Sequence, residues 1–323
     1  EVPRDEEDSR YVKSFAVTDV EGMRAFFDKF GFVVAHAVLT PEECKATVAE
    51  VSQLMDLERP LGTARFDLAN PDTWAYFPPK GLVQYGSPSH PPVFTPQFLR
   101  NRENPNVHSV FATILRETDL LVNHDRCCMF RPTKKVPLSV GIKRMRDAPQ
   151  WGTKWNLHLD MNPWHWMGDG AECRAVLDHL RYDRLADFIT ENNQPCHLGV
   201  FLNITVLIFC ADGVQLQGVM NLVDNYEEDG GYICVPGFPL EFKQYFEEKE
   251  VRTAIKFCRQ HGMDGQASIC DRLWLQVVWD QRMAHGSAPN ASSRMRCAQF
   301  VKLFPAAPVF ATPERAKARA ACI

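Results

Sequence analysis

The sequence predicts an α+β chain: helices come early, and many short strands build a β-rich core later. Two patterns carry this. Residues 20 to 30 have apolar side chains at helical spacing, and a second helix is signalled from Thr40 toward Asp56, with punctuation where a helix should start or stop. Toward the C-terminus, apolar runs shorten, gain β-branched residues and are separated by Gly, Pro and Asn clusters.

After the polar start "EVPRDEEDSR", residues 20 to 30 read as a helix that Gly31 breaks. "FVVAHAVL" is short and β-branched, which suggests a strand. Thr40-Pro41-Glu42-Glu43 starts the next helix, with Thr as N-cap, Pro at the first position and acids in the first turn. Residues 57 to 106 are rich in Pro, Gly, Asn and aromatics and read as a long ordered loop. Helical periodicity returns over 107 to 122, and "PLSVGIKRMR" reads as a strand. Residues 171 to 193, centred on "AVLDHLRYDRLADFI", are helical and charged. "HLGVFLNITVLIFC" and "VQLQGVMNLV" are apolar segments, and "EEDGGYICVPGFP" is a tight turn into a short strand. "LEFKQYFEEKEVRTAIKFCRQHG" reads as a helical insert. "RLWLQVVWD" and "CAQFVKLFPA" are late strands flanking "QRMAHGSAPNASSRMR".

Composition removes several classes of function. The chain has 323 residues and a net charge of −4, with no region basic enough for a nucleic-acid footprint. No apolar run reaches the roughly 18 residues of a membrane span. The 11 cysteines are scattered without a C-x-x-C, so a zinc ribbon is not expected. Thiols of this kind suit a reducing compartment, the cytoplasm or an organelle lumen. The chain starts at Glu1, which leaves a removed targeting segment open. The oligomeric state is not legible.

The chemistry-bearing stretch is "KWNLHLDMNPWHW", residues 154 to 166. On a strand, residues i and i+2 share a face, so His158 and Asp160 would project together. H-x-D alone turns up by chance. Two His and one carboxylate with positions left open are the facial triad of non-heme Fe(II) oxygenases, so a second His should follow. His285 lies between two strand patterns, and Arg296 comes eleven residues after it. An arginine returning on the next strand can grip a dicarboxylic acid bidentately.

With "FGFVVAHAVLTPEEC", "HLD", "DGGYICVPGFP" and "HGSAPNASSRMR" in this order, the chain resembles the phytanoyl-CoA dioxygenase family of Fe(II)/2-oxoglutarate oxygenases. The resemblance implies a double-stranded β-helix, a cupin-like jelly-roll. It implies one domain over 1–323, with a helical region over about 1–125 and inserts near 171–212 and 240–265. His158, Asp160 and His285 would bind Fe(II), and O2 would be consumed. Arg296 would pair with the far carboxylate of 2-oxoglutarate, with Ser287 beside it. Trp164 would wall the pocket. Asp160 keeps the acid that halogenases of this group lack. The chain has "PGFP" where the family has "PGSH", and Leu159 where many members have Gln.

The expected substrate is a small anionic metabolite with an apolar portion, held by Trp164 and by a cation from Lys143, Arg144 or Arg146. Asn156 shares the face of His158 by alternation and is a polar candidate. Hydroxylation is the expected reaction, with desaturation or oxidative cyclisation of the kainoid kind as variants. A fatty acyl-CoA is the alternative substrate. A non-catalytic metal-binding or sensor protein on the same scaffold is the alternative of another class.

Overall fold

The computed structural model describes residues 1–57, 62, 65–77, 93–123, 125–137, 144–155, 157–159, 214–248, 267–269 and 275–306. Among these the architecture is a mixed sheet with helices against it, together with a smaller second sheet.

Helix α1 (Val20–Phe30) buries Met23, Phe26, Phe27 and Phe30, the stripe expected of a 3.6-residue repeat. Asp19 accepts from the Gly22 N–H, and Gly31 closes the helix at φ 74° with its N–H on the Phe27 carbonyl. The Phe26 ring lies 4.7 Å from Phe30 and 5.4 Å from Phe32, which opens β2 (Phe32–His36). Each such ring, fully buried, contributes about 1.5–3 kcal/mol, so Phe26→Ala would cost the helix its main anchor. Strand β1 (Phe15–Ala16) runs parallel to β2. Helix α2 (Pro41–Leu57) opens on a capping box: the Glu43 N–H reaches Thr40 Oγ1 at 3.2 Å, and the Thr40 N–H reaches the Glu43 carboxylate at 2.7 Å.

The stretch read as loop holds a 3-10 turn, Pro71–Tyr76, and helix α3 (Pro96–Arg102). Both begin with Pro in the first turn, where its missing N–H costs nothing. Helix α4 (Pro105–Leu115) ends before the expected 122, and the chain continues as strand β3 (Leu120–Val122). Strand β4 (Cys127–Phe130) is buried at every residue. "PLSVGIKRMR" is not one strand. β5 (Val136–Pro137) and β6 (Met145–Arg146) pair antiparallel, so the chain reverses between them.

The late strands follow. They are β7 (Leu216–Asn221), β8 (Tyr232–Cys234), β9 (Ala267–Ile269), β10 (Gln276–Asp280), β11 (His285–Ser287), β12 (Arg296–Val301) and β13 (Leu303–Pro305). Helix α5 (Phe238–Glu248) is the described part of the expected insert at 240–265. The insert near 171–212 lies outside the described residues. The large sheet has the order β1-β2-β10-β7-β12-β4, and the small one β11-β8-β9. Every pair but β1–β2 is antiparallel. Helix α4 packs on β10, and the Trp279 ring of β10 meets the Tyr232 ring of β8 at 4.6 Å. That contact joins the two sheets. No described helix is long and apolar enough to cross a membrane.

Candidate metal centre

The free edge of β11 is filled by His158. Its N–H donates to the His285 carbonyl at 2.7 Å, and the His285 N–H returns to the His158 carbonyl at 2.9 Å. Residues that exchange both backbone bonds across an antiparallel pair project their side chains to the same face. The two imidazoles accordingly stand 4.7 Å apart between centroids. On its other edge β11 is locked to β8, His285 opposite Cys234 and Ser287 opposite Tyr232. Leu159 is buried in the core, anchoring the strand beside His158.

The turn from β10 into β11 sets the tautomer of His285. Arg282 forks onto Asp280, with Nη2 at 2.6 Å from Oδ2 and Nε at 3.0 Å from Oδ1. The Met283 N–H bonds the Asp280 carbonyl at 2.8 Å. The Met283 carbonyl then lies 2.9 Å from His285 Nδ1. A carbonyl can only accept, so Nδ1 carries the proton and Nε2 is the ring nitrogen that bears the lone pair. Trp279, 5.0 Å away, and Tyr232, stacked at 5.9 Å, hold the ring in place.

The loop between His285 and Arg296 is tied by its own short side chains. Asn290 Oδ1 accepts from the Ser292 N–H at 2.8 Å, and Ser292 Oγ accepts from the Arg294 N–H at 2.9 Å. Arg294 is stapled to Asp229 at 2.8 Å and Glu228 at 2.7 Å. Gly230, at φ 79°, lets this loop approach: a Cβ there would meet the Ala288 carbonyl oxygen at 2.6 Å. None of these ties is legible in the spacing alone.

Arg296 therefore opens β12 at a fixed offset. It pairs with Phe130 on β4 and is 2% exposed. Its guanidinium lies over the Phe130 ring at 5.0 Å, and Nη1 is 3.5 Å from Cys128 Sγ. Its Nε has no hydrogen-bond partner. Burial pushes the Cys128 thiol up, so a neutral thiol faces the cation. Among the described residues no carboxylate lies within ion-pair reach of Arg296. A buried guanidinium left with a donor unmet fits a carboxylate ligand.

Ser287 sits half-buried at the end of β11. Arg144 and Arg146 are exposed, near the equally exposed Lys134 and Lys135. Asp160, Asn156, Trp164 and Lys143 lie outside the described residues. Among the described residues no group of three His, Cys, Asp or Glu side chains forms a metal site. Two imidazoles side by side with the tautomer of one fixed are donors of the kind a metal takes, and a buried guanidinium is of the kind a carboxylate takes.

A protein of Dictyostelium discoideum assigned as a phytanoyl-CoA dioxygenase is 42% identical over 291 residues, covering 88% of this chain and 75% of the relative. No family model matches. Among solved structures, the non-heme α-ketoglutarate-dependent carbocyclase SnoK from nogalamycin biosynthesis is 15% identical, with a TM-score of 0.49 over 91% of this chain and 87% of its own. EvdO2 from Micromonospora carbonacea var. aurantiaca is 14% identical, with a TM-score of 0.49 over 90% of this chain and 93% of its own. HygX from Streptomyces hygroscopicus, with nickel and 2-oxoglutarate bound, is 12% identical, with a TM-score of 0.47 over 88% of this chain and 87% of its own.

Proposed function

The chain belongs to the phytanoyl-CoA dioxygenase family of Fe(II)/2-oxoglutarate-dependent oxygenases, and from that premise we propose that it oxidises a small anionic metabolite with an apolar portion. The metal is held by His158, Asp160 and His285, and 2-oxoglutarate by Arg296 with Ser287 beside it. The two sheets form a double-stranded β-helix within one domain over 1–323. The observation that carries the reading is the His158–His285 pair, with Nδ1 of His285 committed to the Met283 carbonyl.

When bound, iron and 2-oxoglutarate together supply the oxidising chemistry, with O2 consumed, succinate and CO2 released and one substrate C–H oxidised. This chain's residues supply orientation and dryness. Met283 fixes the His285 tautomer, and Trp279 and Tyr232 keep the ring from turning. Arg296 meets a carboxylate in a buried setting, where a charge-assisted bond is stronger than in water. Cys128 stays protonated there and leaves the arginine charge for the ligand.

Trp164 and Asn156 are proposed for the pocket wall, and Lys143, Arg144 and Arg146 for the substrate's charge. Exposed cations such as Arg144 and Arg146 steer an anion more than they hold it. Hydroxylation, desaturation and cyclisation are all open to such a site.

A fatty acyl-CoA is the second reading. The exposed cluster of Lys134, Lys135, Arg144 and Arg146 favours it, since phosphates seek such a track. Succinate release should be followed with Fe(II), 2-oxoglutarate and two panels, free amphipathic acids and acyl-CoA thioesters. Stimulation by the free acids alone supports the first reading. Stimulation by the thioesters alone replaces it with the second. Metal uptake without stimulation by any compound points to a binding protein on the same scaffold.

A further inference from the structure

Arg102, Arg131 and Arg296 are buried arginines, 2%, 7% and 2% exposed. A guanidinium taken from water needs hydrogen bonds or a counter-charge. Arg102 has them, donating to the Val93 carbonyl at 2.8 Å and the Asp125 carbonyl at 2.6 Å. Arg296 has its proposed co-substrate. Arg131 has neither. Its Nε is unpartnered, and among the described residues no acceptor or carboxylate meets its guanidinium. Burial pushes its pKa down to about 10, with no carboxylate to oppose the shift. Its company is two rings, Trp151 at 4.2 Å and Phe77 at 5.2 Å. Stacking occupies the faces of a guanidinium and leaves its edge of N–H donors available.

The position matters as much as the environment. Arg131 follows Phe130, the cross-strand partner of Arg296. Trp151 stands at the head of the segment that runs to His158. Two residues on, Thr133 is fastened to the His285–Arg296 loop, its N–H on the Ser292 carbonyl at 2.9 Å and its Oγ1 on the Asn290 carbonyl at 3.0 Å. Arg131 thus lies between the cross-strand partner of Arg296 and the residue fastened to the His285–Arg296 loop. Keeping an unpaired buried cation lowers stability, and chains retain such groups where function needs them.

We infer that Arg131 is the clamp for the substrate's carboxylate, gripping it edge-on while Trp151 and Phe77 flank the apolar portion. This rests on the oxygenase reading above and names the charge that holds the anion, with Arg144 and Arg146 left to steer it.

The test uses the full chain with Mn(II) and saturating 2-oxoglutarate under argon, so that Arg296 is already occupied. Calorimetry compares 3-phenylpropionate with its amide, the same shape without the charge. The wild-type chain should bind the acid at least tenfold more tightly than the amide. Arg131→Gln should erase that preference while 2-oxoglutarate binding stays. Arg131→Lys, which keeps a charge without the fork, should keep part of it and decides the matter should the Gln variant fail to fold. No acid preference in the wild type, or the full preference surviving in the variants, overturns the clamp. Failure of the wild type to take up Mn(II) and 2-oxoglutarate overturns the metal and co-substrate assignment beneath it, whereas uptake of both without acid preference removes the clamp alone.

Discussion

His158 and His285 exchange both backbone hydrogen bonds, at 2.7 and 2.9 Å, and so hold their imidazoles side by side although they lie 127 positions apart in the sequence. The pairing is backbone-made, so it survives loss of either side chain. Histidine variants therefore probe ligation rather than folding. His158→Ala and His285→Ala should each keep the wild-type Tm within a few degrees while abolishing succinate release. A large fall in Tm would assign the rings a packing role instead.

Arg296→Lys should raise the apparent Kd for 2-oxoglutarate. The lysine keeps the charge and loses the planar fork, and a hydrogen bond to a charged group is worth about 1.5–3 kcal/mol. That corresponds to about ten- to a hundredfold. Anaerobic titration of the Mn(II)-loaded variant with 2-oxoglutarate measures it, and an unchanged Kd would detach Arg296 from the co-substrate.

Arg294→Ala should destabilise the chain by about 1.5–3 kcal/mol, because Asp229, 0% exposed at its side chain, loses its charged donor and keeps only the Tyr226 N–H. Glu228→Ala should cost under about 1 kcal/mol, since that carboxylate is 54% exposed. Urea denaturation of both variants separates the contact to the buried carboxylate from the one to the surface carboxylate.

Much of this was legible in the sequence, and the misses have physical reasons. Gly31 and the Thr40 capping box announce their helix ends because capping chemistry is local. Strand β4, "CCMF", shows no alternation because all four residues are buried, and a run that short carries no period. The antiparallel pairing of β5 with β6, at the two ends of "PLSVGIKRMR", left no mark in that reading. Thr95-Pro96 did mark the start of α3, but the surrounding Pro-rich stretch hid it. His158, His285 and Arg296 stand out as residue types at a spacing. What orients them, the Met283 carbonyl and the Arg294 staple, depends on backbone atoms and long-range partners that no spacing encodes. Arg131 is one arginine in "FRPT", and its lack of a partner exists only in three dimensions.

Stability should decline at alkaline pH. Burial pushes the Cys44 thiol up to about 12, and the thiols of Cys128, Cys234 and Cys297 are raised as well. An unfolded thiol ionises near pH 8.5. Below that pH both states are protonated and the contribution is complete. Above it the unfolded chain sheds protons first, so stability falls as pH rises toward the folded value. Urea midpoints between pH 7 and 10 should fall, and Cys44→Ala should flatten the slope. An identical slope in that variant would show that the Cys44 thiol is not buried as described.

The central claim is that one metal ion is held jointly by His158 and His285. Calorimetric titration of the apo chain with Mn(II), in the presence of 2-oxoglutarate and under argon, tests it most directly. The account predicts one ion per chain in the wild type and at least a hundredfold weaker binding in both His158→Ala and His285→Ala. Binding of equal affinity in either variant would contradict it.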